Sequence, residues 1–199
     1  MRGGEFQRFD ARQSNLIMTK NALLFPKPLL DKARGVRIFF LDVDGVMTDG
    51  DLYFTSEGES VKKFNSLDGH GLKLLMRSGI VPVVITGRDS QALRRRISEL
   101  SLEHAHYGVD NKLLIAENCL QSFGMDWSHA AAMGDDWPDL PVLMRSGFAF
   151  APAQAHAELL SRVDHVCSAP AGGGAVREAC DLLLIANGHY EVALGEVLS

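Results

Sequence analysis

Cysteine is scarce in this chain of 199 residues: Cys119, Cys167 and Cys180 make an odd number with no paired spacing. Disulfide frameworks and zinc knuckles need pairs, so the pattern argues against both and fits a reducing compartment. Positive charge is not in excess either. Lys and Arg number 20 against 25 Asp and Glu, a formal net charge of −5. A nucleic-acid partner calls for a basic face, which this balance does not supply. A small anionic substrate stays open, because a bound cation and a few placed donors reverse the local field. No apolar run approaches the roughly 20 residues that cross a bilayer. The first twenty residues, with Arg2, Glu5, Arg8, Asp10 and Arg12, hold no apolar signal core. The expectation is a cytoplasmic protein with no membrane or nucleic-acid partner.

What is present suits one globular domain: hydrophobic residues make up 46% and charged residues 23%, enough for a core. Residues 1–34 carry charges, Asn15 and the Pro26/Pro28 pair, and read as an N-terminal extension with a short helix leading to Gly35. Residues 35–199 read as the functional domain. Its first strand, 37–43, is a short apolar run ending in carboxylates. Residues 51–55 and 60–64 alternate weakly around a turn at 56–59, a β-hairpin spanning about 51–64. A helix over 68–77 and a buried strand over 80–85 follow, then a helix over 89–100 and a strand over 104–107. The helix expected over 111–123 faces inward with Leu114, Ile115 and Cys119. A small-residue strand over 129–133 runs into Gly134-Asp135-Asp136. Strands at 148–151 and near 163–167, a long helix over 175–186 and a C-terminal tail from about 188 to 199 complete the set. Alternation of this kind implies an α/β fold: a Rossmann-like parallel sheet flanked by helices, with a hairpin inserted after the first strand.

The functional site of such a sheet lies outside the carboxyl ends of its strands. Three strand ends deliver the groups one reaction needs: Asp42 and Asp44, then Thr86, then Asp135 with Asp136 beside it. Lys112 opens the helix after another strand. Phosphoryl transfer fits this set. A carboxylate approaches a phosphate monoester only where the charge of both is offset, by a hard cation such as Mg²⁺ with oxygen ligands and by a lysine. Asp42 then serves as nucleophile. Asp44, two residues on in an extended segment, points to the same side and serves as acid and base. Thr86 and backbone amides hold the transferring oxygens, and Lys112 offsets charge. Asp135 completes the metal shell. Each motif alone has a plain structural reading as a turn, a surface lysine or a helix cap. Their joint order, each beside a strand end, does not.

The sequence resembles the haloacid dehalogenase-like phosphatases over residues 37–188. Asp42-Val43-Asp44-Gly45-Val46-Met47-Thr48-Asp49-Gly50 matches their first motif, Thr86 the second and Lys112 the third. Gly134-Asp135-Asp136 followed by Asp139 matches the fourth. The resemblance implies Mg²⁺ held by Asp42, the main-chain carbonyl of Asp44 and Asp135. Asp42 and Thr86 are 44 positions apart, and Thr86 and Lys112 are 26 apart, so neither gap holds a large cap domain. Among capless members the chain is most similar to the 3-deoxy-D-manno-octulosonate 8-phosphate phosphatases of Gram-negative lipopolysaccharide synthesis. The shared stretches are Phe64-Asn65 with Asp68-Gly69, Ile85-Thr86-Gly87-Arg88 and Gly174-Ala175-Val176-Arg177-Glu178. That likeness implies a phosphorylated sugar acid as substrate, with Asn65, Asp68, Gly87 and Arg88 as substrate-binding residues. It also implies a homotetramer whose hairpins form a central barrel and whose neighbours complete each site. Leu67 and Gly173 depart from the pattern where basic residues often stand, which leaves a nine-carbon keto-acid phosphate as an alternative substrate.

A phospho-acceptor signalling domain uses a similar acid, threonine and lysine set. It lacks an acid/base such as Asp44, and here the acidic pair follows Lys112. Arg94-Arg95-Arg96 reads as a solvated helix face, because consecutive residues spread around a helix. The seven histidines show no metal spacing, and His104 and His106 share a strand face without partners.

Overall fold

The computed structural model describes residues 25–56 and 58–199. The part of the expected extension before residue 25, and Glu57 in the hairpin turn, lie outside the described residues. Helix α1 (Lys27–Ala33) precedes strand β1 (Ile38–Leu41). A hairpin of β2 (Tyr53–Thr55) and β3 (Gly58–Val61) follows, then α2 (Ser66–Arg77), β4 (Val81–Ile85), α3 (Gln91–Leu100) and β5 (His104–His106). The second half runs α4 (Lys112–Phe123), β6 (Ala130–Met133), α5 (Leu140–Leu143), β7 (Phe148–Ala151) and α6 (Ala157–Leu160). It ends in β8 (His165–Val166), α7 (Ala175–Ala186) and α8 (Tyr190–Leu198).

Six strands form one sheet in the order β5-β4-β1-β6-β7-β8, and every pairing is parallel. The chain first builds outward from β1 through β4 and β5, then returns to lay β6 on its other side. That reversal makes a topological switch point between β1 and β6, where a crevice opens at the carboxyl ends. Period-2 alternation divides the core between the two faces of the sheet. Phe39 and Leu41 join Val84, Met133, Phe148 and Phe150 against α2, α3 and α7. Ile38 and Phe40 join Val83, Ile85, Ala130 and Ala132 against α4, α5 and α6. Both faces are covered, as an all-parallel sheet requires. Among the described residues there is no cap domain, and no helix is long and apolar enough to cross a membrane.

Helix starts follow their capping side chains. Asn65, Ser90 and Asn111 accept the amides of Leu67, Leu93 and Leu114, which satisfies donors that the first helical turn leaves free. Asn65 therefore starts α2 at Ser66, two residues before the expected start at 68. Other differences have local causes. Gly58, expected inside the turn, already begins β3, at φ 113°. Leu114 points outward, 51% exposed, and the buried face of α4 is Ala116, Cys119 and Leu120. His106 Nε2 lies 3.5 Å from Cys119 Sγ, and His104 meets the edge of Phe123, so both histidines have neighbours. The segment expected as a tail forms α8. Arg94 pairs with Asp89 and Arg95 with Glu99, while Arg96 turns inward to donate to the Asn65 carbonyl.

Candidate active site

The crevice at the switch point gathers three carboxylates and one ammonium. Asp42 follows β1 directly, Asp135 follows β6 after Gly134, and Asp139 closes the 3₁₀ turn Trp137–Asp139. One oxygen of each lies within 4.8 Å of the others. Lys112, the first residue of α4, sends its ammonium between two of them, 2.6 Å from Asp42 Oδ1 and 2.6 Å from Asp139 Oδ1. The other Asp139 oxygen accepts the amides of Asp135 at 3.1 Å and Asp136 at 3.4 Å, which fixes the loop after β6. Asp139 stands in the matched motif, but its place between Lys112 and those amides was not read from the sequence. Asp136, in contrast, is exposed and outside the cluster.

Burial and crowding set the charges. Asp42 is pushed up from the ordinary carboxylate range by burial first and the Asp139 charge second, against the pull of Lys112. Asp135 is pushed up to about 7 by burial and by Asp42, Asp139 and Asp136. Burial alone would lower the Lys112 ammonium, but the charges of Asp42 and Asp139 outweigh it and raise the group. Three acids facing one base leave an excess of negative charge. Oxygen-only donors at this spacing suit a hard divalent cation rather than zinc or copper. The donor set of Asp42, Asp135 and Asp139 therefore fits Mg²⁺.

Asp44 lies on the loop after β1, with its carboxylate between two cations. Lys62, just past β3, donates to Asp44 Oδ1, and Arg88 Nε stands 3.8 Å from Oδ2. Thr86, at the end of β4, is buried, and its Oγ1 accepts the Arg88 amide at 3.3 Å. Gly87 follows it beside the Val109 carbonyl. Of the expected catalytic set, Asp42, Asp44 and Thr86 thus follow strands adjoining the one before Asp135, and Lys112 reaches Asp42 from the start of α4. Asn65 and Asp68 do not join them. The Asn65 side chain caps α2, and the buried Asp68 accepts the Arg177 amide at 2.8 Å, tying α2 to α7. Lys62 was missed because a lysine after a hairpin strand carries no signal of burial in the sequence.

A second group of metal-type side chains, His165, Cys167 and Glu178, sits about the loop that joins β8 to α7. Glu178 is already taken by His165 Nε2 at 2.8 Å, the Ser168 amide at 3.0 Å and hydroxyl at 2.8 Å, and the Ala169 amide at 3.1 Å. Burial first and the Glu178 charge second push the Cys167 thiol far up. A carboxylate so fully used, beside a protonated thiol, anchors the loop and leaves no ligand set.

No family model matches the chain. The 3-deoxy-D-manno-octulosonate 8-phosphate phosphatase KdsC of Salmonella typhi is 39% identical over 168 residues, covering 84% of this chain and 89% of the relative. The crystal structure of the phosphatase of that name from Moraxella catarrhalis, in complex with magnesium ion, phosphate ion and a KDO molecule, aligns with a TM-score of 0.83. It is 34% identical, and the alignment covers 87% of this chain and 99% of that one. A haloacid dehalogenase superfamily hydrolase (subfamily III A) from Legionella pneumophila aligns with a TM-score of 0.81 at 33% identity, covering 94% of this chain and 98% of that one.

Proposed function

The chain belongs to the 3-deoxy-D-manno-octulosonate 8-phosphate phosphatase family of phosphomonoesterases within the haloacid dehalogenase superfamily, and from that premise we propose that it hydrolyses this sugar-acid phosphate with Mg²⁺ through an aspartyl-phosphate on Asp42. The observation that carries the reading is the placement of Asp42 and Asp44, Thr86 and Asp135 after the adjoining strands β1, β4 and β6, with Lys112 at the start of α4 bonded to Asp42.

The chemistry runs in two halves. An Asp42 carboxylate oxygen bonds to phosphorus as the bond from phosphorus to the sugar oxygen breaks, and Asp44 gives its proton to that departing oxygen. Asp44, now ionised, takes a proton from water whose oxygen attacks the same phosphorus. The bond to Asp42 breaks and inorganic phosphate leaves. Lys112 offsets charge at Asp42 throughout, and Thr86 with neighbouring amides holds the non-bridging oxygens. Mg²⁺ on Asp42, Asp135 and the Asp44 carbonyl would supply the charge neutralisation that lets two anions meet. Arg88 is half-exposed beside Asp44, which supports reading it as the partner of the substrate carboxylate. In this reading the activity serves lipopolysaccharide sugar synthesis in the cytoplasm.

The hairpin is read as the assembly surface. Phe54 is 62% and Val61 55% exposed on a ribbon of two short strands, which is marginal alone. Four ribbons closed into a barrel would cover these side chains, remove the strand edges and let a neighbour finish each site. The substrate assignment is tested by released phosphate across a panel of sugar phosphates. The eight-carbon keto-acid ester should give the highest kcat/KM. A higher value for a nine-carbon keto-acid ester or a simple hexose phosphate would overturn it.

A further inference from the structure

The hairpin carries one side chain that does not behave as a surface residue. Lys62 follows β3 in a hairpin whose Phe54 on β2 and Val61 on β3 are bare, yet its own side chain is 1% exposed. Its ammonium donates to Asp44 Oδ1 and lies 2.7 Å from Glu59 Oε1. Burial alone would lower this ammonium, but the hydrogen bonds and charges of Asp44 and Glu59 outweigh it and hold the group above its usual value. Glu59 Oε1 is buried, and the Lys62 ammonium at 2.7 Å is the cation that compensates it. A buried ammonium between two carboxylates costs much to desolvate unless its geometry is held, and here the hairpin holds it from one side. The two oxygens of Asp44 are thereby made unequal. Oδ1 is tied to Lys62, while among the described residues Oδ2 has the half-exposed Arg88 guanidinium as its cation, at 3.8 Å, beyond hydrogen-bond length.

We propose that Lys62 is a positioning residue: anchored by Glu59, it pins Asp44 through Oδ1 and leaves Oδ2 as the oxygen that gives and takes back the proton. The inference rests on the reading of Asp44 as acid and base. It links the hairpin to the chemistry, because any shift of the ribbon moves the ammonium that orients the proton donor.

The test uses leaving groups. A sugar alkoxide needs a proton as it departs, whereas the p-nitrophenolate of p-nitrophenyl phosphate leaves without one. Values of kcat/KM for both esters, which report through the first phosphoryl transfer, are compared in the wild type, Lys62→Gln, Lys62→Arg, Glu59→Gln and Asp44→Asn. Light scattering checks that each variant keeps the wild-type assembly. Lys62→Gln should lose about 10- to 100-fold on the sugar ester and several-fold or less on the aryl ester, within the range of general acid catalysis. Lys62→Arg should recover part of the loss, and Glu59→Gln should show the same selectivity in weaker form. Asp44→Asn must show the largest selective loss; if it does not, the reading of Asp44 fails and the proposal with it. If Asp44→Asn is selective while Lys62→Gln and Glu59→Gln lower both esters equally or neither, Lys62 is a staple of the hairpin only. Should Lys62→Gln fail to fold, the Glu59→Gln and Lys62→Arg ratios decide alone.

Discussion

Asp135 occupies the space that Gly45 leaves open: a β-carbon at Gly45 would lie 2.1 Å from Asp135 Oδ2. Gly45 also holds φ at 87°, a conformation that side-chain-bearing residues rarely adopt. One glycine thus lets the loop after β1 close against the carboxylate that follows β6, across the switch point of the sheet. Gly45→Ala should displace Asp135 by about 1 Å or more and cost roughly 100-fold or more in kcat/KM. Steady-state kinetics with Mg²⁺ titration checks this. Wild-type activity in a folded Gly45→Ala protein would contradict the placement of Asp135 in the site.

Asp139 carries a second prediction. Its two oxygens join the Lys112 ammonium to the amides of Asp135 and Asp136. Asp139→Asn keeps the shape but weakens the hold on Lys112, so activity or Mg²⁺ affinity should fall by about 10- to 100-fold, as for other groups that orient metal ligands. Kinetics with metal titration, alongside a thermal melt, separates this from unfolding. A variant with unchanged kcat and Mg²⁺ affinity would contradict it.

Acid and metal should compete at the cluster. Asp135 is pushed up to about 7 in the folded chain, against 3.8 for the free group. Between those values the folded state keeps a proton that the unfolded state has lost. Stability of the metal-free protein therefore falls as pH rises from about 4 to 7, and burial of Asp42 acts in the same direction. A divalent cation replaces the proton, so Mg²⁺ should raise Tm more at about pH 8 than at about pH 5. Melting curves with and without Mg²⁺ at both pH values decide it, and an equal gain at both would contradict the site.

The proposed assembly through the bare hairpin is open to a direct test. The wild type should run as four chains of 21.7 kDa in light scattering coupled to size exclusion. Phe54→Asp combined with Val61→Lys should shift it toward monomer and lower activity. A fully active wild-type monomer of 21.7 kDa at assay concentration would rule out neighbour-completed sites.

Much of this was legible in the sequence because the signals were local. Apolar runs ending in Asp42, Thr86 and Asp135 mark buried parallel strands, and α7 matches its expected span of 175–186 because Leu182 and Leu183 recur with Val176 and Ala179 on its buried side. What was not legible depends on tertiary closure. Leu114 reads as core by composition, yet the turn of α4 puts it outside, and Asn111 spends its side chain on the amide of that same residue. Helix α8 buries no residue fully, so nothing but its own turns announces it, and the preceding Gly188 reads as a stop. Lys62 looks like an ordinary surface charge until the hairpin folds it onto Asp44, and Asp139, though part of the fourth motif, shows its tie to Lys112 only once the 3₁₀ turn forms.

The most direct test of the central claim is phosphate release from 3-deoxy-D-manno-octulosonate 8-phosphate with Mg²⁺ by the wild type and by Asp42→Asn. Asparagine keeps the shape of the strand end but cannot form the acyl phosphate, so the variant should fold and give no turnover above background. The wild type should turn over, and lose that activity on exhaustive chelation. More than a trace of wild-type activity in purified Asp42→Asn would contradict covalent catalysis at Asp42.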